Sequence, residues 1–353
     1  MMRASSRFSS VLANSVASGL AVLLVHGAAR AADCVEPTAD PTNTYDAQHT
    51  YDKLAPKYPS IRIASAAVPG DVTLVAGQVY AQYDTRCLKL DMYLPASASA
   101  KQDVPVVVFV HGGGWRSGFR SEFAPMAVRM ARNGYAAVTV SYRLAGEALY
   151  PAAVQDVRAA VRWVRENAGK YGLDPQRIAL AGGSAGGQIA ALAGLTPHLK
   201  QFDPTVGDSD VSSAVQAVVN IDGLSDFTSE AARINEDDPK KSPSAAAYWF
   251  GGRYAEKTAS WREASPIQYV NTSMPPVLFI GSAQPRFAVG REEMVAKMTQ
   301  ARATSKVVLL PDTPHSFWLF DPWLQPTVDV TVAFLNTQMP SRQAKRFSRR
   351  AGE

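Results

Sequence analysis

The stretch Gly182-Gly183-Ser184-Ala185-Gly186-Gly187 decides the fold of this 353-residue chain. The apolar run 177–181 before it is typical of a buried parallel strand, and the segment 188–195 after it is rich in helix-forming residues. Small residues on both sides of Ser184 predict a sharp strand-to-helix turn, because larger side chains would not fit there. Such a turn exposes the Ser184 hydroxyl above the sheet, where the helix N-terminus favours developing negative charge.

Around this turn, short apolar runs alternate with amphipathic segments. An antiparallel pair of strands is predicted first, and further strands follow at 105–110, 135–142, 214–221, 276–281 and 306–310. Helices are predicted at 121–133, 150–171, 291–303 and 326–338. The alternation predicts an α/β fold, with a mostly parallel central sheet and helices on both faces. The segment 227–274 breaks this alternation, and we expect it to form a small cap-like insertion over the site.

The first 31 residues have the pattern of an export signal. A short basic start precedes a mostly apolar run over 11–25, and Ala29-Arg30-Ala31 fits the small-residue rule for cleavage. We expect a signal peptide over 1–31, followed by an N-terminal arm over 32–71, a folded domain over 72–340 and a disordered basic tail over 341–353. The protein is therefore expected to be secreted or periplasmic, with no membrane association after cleavage.

Charge and cysteine content limit the possible function classes. The formal net charge is +5, but loss of Arg3, Arg7 and Arg30 with the signal peptide leaves 33 basic and 31 acidic residues. The folded body is then close to neutral, which argues against a nucleic-acid partner. Cys34 and Cys87 are the two cysteines, and in an oxidising compartment they are candidates for a disulfide between the arm and an early strand.

A second glycine-rich segment, His111-Gly112-Gly113-Gly114, follows the predicted strand 105–110. Consecutive glycines allow backbone N–H groups to converge on a substrate oxygen without side chains in the way. Gly113 and Gly114, together with the N–H of Ala185, are therefore the candidate oxyanion hole. A flexible glycine turn without this role is the alternative, and the place of the segment after the antiparallel pair of strands disfavours it.

His315 is the candidate general base, because it lies in the loop after the last predicted strand, where this architecture carries its base. The other four histidines lie in segments unsuited to that role: His26 in the signal peptide, His49 in the arm, His111 in the glycine turn and His198 too soon after the elbow helix to reach back. Position and elimination therefore both indicate His315.

These motifs together resemble a known family. HGGGW at 111–115, GGSAGG at 182–187 and the C-terminal His315 are similar to those of the α/β-hydrolase esterases of the hormone-sensitive-lipase-like group, above all its BD-FAE branch of feruloyl- and acetyl-esterase-like carbohydrate esterases. The resemblance covers roughly residues 72–338. It implies an α/β-hydrolase fold and ester hydrolysis by a Ser–His–acid triad, with no metal or other cofactor.

The acid of the triad is the point at which the chain departs from this family. Many members carry it after the next-to-last strand in a pattern like HGxxDxxVP, but here that position is Gln284, which has no charge to stabilise an imidazolium. Asp222 ends the preceding strand on the same sheet edge as Ser184 and is the best-placed substitute. The alternatives are Asp226, expected to close a turn, and Asp312, expected to shape the loop before His315.

Substrate recognition is predicted from Arg286 and from aromatic residues. Arg286 offers a planar fork for a carboxylate, although a surface salt bridge is the commoner fate of an arginine. Aromatic faces for sugar rings, or else a small hydrophobic core, are expected from Trp115, Tyr248, Trp249, Trp318 and Trp323.

The resulting prediction is a secreted serine esterase whose partner is a polysaccharide or a small ester. The stretch HSFWLFDPW at 315–323 and the stretch Pro285-Arg286-Phe287 resemble those of pectin-esterase-like members of this branch. The resemblance implies removal of acetyl, feruloyl or methyl esters from plant cell-wall polysaccharide such as pectin or xylan. A non-catalytic glycan-binding module and a serine peptidase are the alternatives.

Overall fold

The structure is a computed structural model that describes residues 35–36, 45–98, 103–207, 210–241 and 243–340. These residues belong to one structural unit. The predicted signal peptide and the predicted basic tail lie outside the described residues. Cys87 is disulfide-bonded, and its proposed partner Cys34 also lies outside the described part of the chain.

The central sheet follows the predicted alternation. Its strands are β2 (Val72–Tyr83), β3 (Arg86–Pro95), β4 (Val104–Val110), β5 (Ala136–Val140), β6 (Leu173–Gly183), β7 (Ala217–Ile221), β8 (Val277–Gly281) and β9 (Ser305–Leu309). Within the described residues these eight strands are ordered β2-β3-β5-β4-β6-β7-β8-β9. The pairs β2–β3 and β3–β5 are antiparallel, and the others are parallel. The predicted α/β fold with a mostly parallel sheet is confirmed.

Strand β4 shows why the sequence there is continuously apolar. Val106, Val108 and Val110 lie in the apolar cluster on one face of the sheet, whereas Val107 and Phe109 lie in the cluster on the other face. All five side chains are fully buried. Since helices cover both faces, no position of this strand favours a polar residue.

The helices of the described residues are mostly those that the sequence predicts. They are α1 (Ala47–Leu54), α2 (Ala124–Arg132), α3 (Ala152–Glu166), α4 (Ala168–Tyr171), α5 (Ala185–Leu195), α6 (Glu230–Glu236), α7 (Ala245–Phe250), α8 (Tyr254–Glu263), α9 (Arg291–Gln300) and α10 (Leu324–Gln338). Apolar residues of α3 and α5 join one cluster, and those of α2 and α10 join the other. Several boundaries differ from expectation. A 3₁₀ turn, Arg120–Phe123, precedes α2, and Asn167 divides the predicted helix 150–171 into α3 and α4. The helix α9 ends three residues earlier than predicted, and α10 begins two residues earlier.

The N-terminal arm is part of the folded body in a way that the sequence did not predict. Its strand β1 (Arg62–Ile63) pairs antiparallel with β10 (Phe320–Asp321), which lies shortly after His315. The backbone N–H of Ala64 also donates to the carbonyl of Leu319 at 3.0 Å. The arm is therefore fastened to the segment that follows the candidate base.

The insertion over 227–274 forms the three short helices α6, α7 and α8. Its large aromatic side chains pack on one another and on the body: Phe227, Trp249, Phe250 and Trp261 are all buried. This small core explains how a segment rich in polar residues holds its shape. In the described part of the chain, no helix has both the length and the apolar character needed to cross a membrane.

Candidate active site

Ser184 lies at the sharp corner between β6 and α5, as predicted. Its backbone is strained, with φ 56° and ψ −123°, and its N–H donates to the carbonyl of Ile221 at 2.8 Å. Gly183 is required beside it, because a Cβ at that position would lie 2.5 Å from the ring of Trp318. The corner presents the Ser184 side chain at the N-terminus of α5, where backbone N–H groups favour negative charge.

His315 and Asp222 meet across the carboxyl ends of the strands. The Nδ1 atom of His315 lies 3.0 Å from Oδ2 of Asp222, and the other carboxylate oxygen accepts the N–H of Ser282 at 2.7 Å. Asp222 follows β7 with φ 50° and is only 5% exposed. The buried Asn220 braces this turn, because its side chain bonds both the N–H and the carbonyl of Gly223.

The two alternative acids lie elsewhere. Asp226 accepts hydrogen bonds from the N–H and the hydroxyl of Thr228, both at 2.7 Å, and so closes its own turn. Asp312 is exposed and adopts a left-handed backbone conformation in the loop before His315. Of the three candidates, the structure therefore brings Asp222 to the imidazole.

The segment around Gln284 supports Asp222 and carries no acid of its own. Gln284 is half-buried, and its N–H donates to the hydroxyl of Ser282 at 3.2 Å. Because the N–H of Ser282 in turn donates to Asp222, this loop holds the carboxylate in place from the neighbouring strand end.

Two rings enclose the imidazole of His315. The Phe287 ring stacks on it with centroids 3.4 Å apart and planes 8° apart, and Trp318 meets it edge-on at 5.3 Å. Burial lowers the pKa of His315 below its ordinary value, a shift that the bond to Asp222 opposes and the charge of Arg286 reinforces. The ring is therefore neutral at pH 7 and available to accept a proton.

The glycine turn lines the same cavity as His315. Gly113 has φ 104°, and a Cβ there would overlap the backbone carbonyl of Ser117, so the turn requires glycine. The Gly113 carbonyl accepts the N–H groups of Arg116 and Ser117, both at 3.1 Å, which fixes the direction of the turn. Gly113, Gly114 and Ala185 all line one cavity with Ser184, as the prediction of an oxyanion hole requires.

This cavity has a volume of about 200 Å³ and brings the predicted residues together with some that were not predicted. Its wall includes Ser184, His315, Asp222, Trp115, Arg286, Tyr45 and Glu236. Among the described residues, no group of three or more His, Cys, Asp or Glu side chains is arranged to hold a metal ion.

Arg286 lies at the cavity wall as part of an ion pair. Its Nη2 atom is 2.9 Å from Oε1 of Glu236, and the two side chains are 44% and 6% exposed, respectively. Arg291, the other arginine near this strand end, is paired with its neighbour Glu292 at 2.6 Å. A half-exposed guanidinium with one acidic partner thus faces the cavity.

The expectation of open aromatic platforms is wrong for Trp318 and Trp249, and Trp115 offers little free surface. Trp318 is 1% exposed, and it packs beneath the elbow and beside the candidate base. Trp115 is 4% exposed, because its ring stacks on Trp249 at 5.0 Å. Tyr248 and Trp323 are only partly buried. Trp318 therefore supports the shape of the site, whereas Trp115 still lines the cavity with Ser184.

The wall residues that were not predicted include three from different parts of the chain. Tyr45 belongs to the arm, Glu236 ends a helix of the insertion, and Phe287 lies in the loop after β8. None belongs to a motif, and each reaches the cavity only through long-range packing.

The sequence of the chain is similar to those of known esterases. The BD-FAE family model matches residues 90–288. Esterase LipQ of Mycobacterium tuberculosis is 32% identical over 232 residues, which cover 65% of this chain and 54% of that protein. Esterase LipC of the same organism is 32% identical over 250 residues, with 67% and 59% covered. The match thus spans a little over half the length of these relatives.

Solved structures share the α/β-hydrolase fold. Thermogutta terrifontis esterase 2 phosphonylated by sarin superposes with a TM-score of 0.65 at 25% identity, covering 78% of this chain and 98% of that one. A truncated carbohydrate esterase from gut microbiota gives a TM-score of 0.64 at 23% identity, covering 77% and 98%.

Proposed function

Because the chain belongs to the BD-FAE family, we propose that it is a carboxylic-ester hydrolase with Ser184 as nucleophile, His315 as general base and Asp222 as acid. The observation that carries the proposal is the 3.0 Å contact between His315 Nδ1 and Asp222 Oδ2, in a cavity that Ser184 also lines. Esterases LipQ and LipC, which the chain resembles, support the same reaction class.

The first half of the reaction forms an acyl-enzyme. The Nε2 atom of His315 takes the Ser184 proton as Oγ attacks the ester carbonyl carbon, and Asp222 stabilises the resulting imidazolium. The carbonyl oxygen becomes an oxyanion, to which the N–H groups of the glycine turn and Ala185 donate. As the tetrahedral intermediate collapses, the bond to the alcohol oxygen breaks, and His315 gives its proton to the leaving alcohol.

The second half repeats these steps with water. The neutral His315 takes a proton from a water molecule as the water oxygen attacks the acyl carbon. The same oxyanion hole stabilises the new intermediate, and His315 then returns a proton to Ser184 Oγ as the acid product leaves. The neutral resting state of His315, which burial favours, suits both steps.

Hydrolysis of p-nitrophenyl acetate tests the proposal. We expect turnover by the wild type, loss of turnover in Ser184→Ala, and labelling of Ser184 by a fluorophosphonate that His315→Ala prevents. Thermogutta terrifontis esterase 2 is phosphonylated by sarin, so a reagent of this class reacts with a protein of this fold. An inactive, unlabelled wild type would favour a glycan-binding module, and cleavage of peptides but not esters would favour a peptidase.

For the substrate, we propose an ester on a polysaccharide that carries carboxylate groups, with Arg286 as the group that recognises them. The half-exposed guanidinium at the cavity wall supports this, although Glu236 already neutralises part of its charge. A substrate carboxylate would therefore compete with Glu236 for the same donors.

This competition gives two variants with opposite expected effects. Arg286→Ala should lower kcat/KM for uronate-containing esters far more than for neutral esters, whereas Glu236→Gln should raise the preference for the charged esters several-fold. Release of acetate, methanol and ferulate from pectin and xylan would identify the ester. Equal effects on charged and neutral esters in both variants would assign the pair to structure alone.

We also propose that the protein is exported. The signal-like pattern over 1–31 supports this, and so does the disulfide at Cys87, since disulfides persist in oxidising compartments. N-terminal sequencing of the protein from the periplasm or medium should start at residue 32. Recovery of the uncleaved chain from the cytoplasm alone would refute export.

A further inference from the structure

Tyr45 reaches the candidate active site from the N-terminal arm, far in sequence from the residues around it. Its hydroxyl donates to Oγ of Ser316, which directly follows His315, at 3.2 Å. Its ring Cε1 and its hydroxyl both come within 3.3 Å of the position that a Cβ on Gly112 would occupy. The side chain therefore contacts the loop of the candidate base and the glycine turn at once, and it lines the cavity with Ser184.

Other contacts of the N-terminal arm hold Tyr45 in this place. Strand β1 pairs with β10, and the rings of Tyr51 and Tyr58 pack on Phe320 and Trp323, with centroids 6.5 and 5.4 Å apart. All these contacts lie on the segment just after His315. Burial and the nearby charge of Glu122 raise the pKa of Tyr45, so its hydroxyl stays neutral and able to donate.

We propose that Tyr45 is a specificity-determining residue: its ring is the wall that limits the size of the ester group bound between the glycine turn and the loop of His315. This inference rests on the proposed ester hydrolysis. Tyr45 lines the cavity together with Ser184 and Gly113, and its rigid ring, held by the hydrogen bond to Ser316, gives way less readily than a flexible side chain would. Tyr45 also lies outside the family match at 90–288, so the limit is set by the part of the chain that this match does not cover.

Two series of esters test this inference. One series varies the acyl chain of p-nitrophenyl esters from two to eight carbons, and the other varies the alcohol of acetate esters. In Tyr45→Ala, the ratio of kcat/KM for the largest to the smallest ester should rise about tenfold or more in one series, since each methylene that fits or clashes changes the rate by such factors. Tyr45→Leu should give a smaller rise, and the series affected shows which group lies against the ring.

Two further variants test whether the preference for ester size depends on the Tyr45 ring itself, on its hydrogen bond or on the docking of the arm. Tyr45→Phe keeps the ring and should keep the wild-type ratio, even if all rates fall together. Tyr51→Ala loses a contact of the same arm outside the cavity and should also keep the ratio. Unchanged ratios in Tyr45→Ala, or an equal shift in Tyr51→Ala, would overturn the inference. An inactive wild type would instead refute the proposed function.

Discussion

The Asp222→Asn variant removes the negative charge beside His315 while keeping the shape of the side chain. The N–H of Ser282 donates to Oδ1 of Asp222 at 2.7 Å, so the asparagine must keep its carbonyl oxygen toward Ser282. Its NH₂ group then faces Nδ1 of His315 across the remaining 3.0 Å. An amide that donates to Nδ1 selects the tautomer with the proton on Nε2, and this tautomer cannot take the proton of Ser184.

The expected loss follows from this switch of tautomer together with the missing charge. The corresponding change in Ser–His–Asp proteases lowers kcat by about 10⁴-fold, or about 5.4 kcal/mol of transition-state stabilisation. We expect a similar fall in kcat for p-nitrophenyl acetate at pH 8, with the melting temperature nearly unchanged because the bond to Ser282 persists.

Asp226→Asn is the matched control, since that carboxylate bonds only its own turn in the contacts described above. It should retain kcat within a few-fold. A fall of less than tenfold in Asp222→Asn, or an equal fall in the control, would refute the assignment of Asp222 and the argument from the tautomer.

Three further outcomes are expected. Burial lowers the pKa of His315, so the acid limb of the kcat/KM profile should lie below pH 6.5. The Phe287→Ala variant uncovers the imidazole ring and should move this limb up toward pH 6.5. An unmoved limb would contradict this role of burial. Gly113→Ala should lower kcat by about 10²-fold. Gly134 also has a positive φ but has open space around it, so Gly134→Ala should leave kcat unchanged. Similar rates in both variants would show that the glycine turn is dispensable. Burial raises the pKa of Glu122 well above its usual range, so the folded state loses stability as the pH rises through that pKa. The Glu122→Gln variant should therefore have a higher melting temperature than the wild type at pH 8 but not at pH 4. A difference in melting temperature that does not depend on pH would contradict this cost of burying Glu122.

The sequence alone was sufficient for the features that depend on neighbouring residues. The elbow and the glycine turn were visible as motifs, because part of their need for glycine is local: a Cβ at Gly182 would meet the carbonyl of Gly186, and one at Gly113 would meet the carbonyl of Ser117. The alternation of apolar runs predicted the sheet, because strands buried on both faces leave no polar positions. The position of Asp222 could also be predicted from the sequence, since the residues at the carboxyl ends of parallel strands lie at one edge of the sheet.

Tertiary structure alone decided which side chains surround the base and line the cavity. The bond between Tyr45 and Ser316 joins residues 271 positions apart, and nothing local in either segment predicts it. The same holds for the pairing of Arg286 with Glu236 and for the stacking of Phe287 on His315. Such contacts depend on how whole elements pack, and that packing also buried the tryptophan of the His315 loop, whose sequence pattern was equally consistent with an open sugar platform.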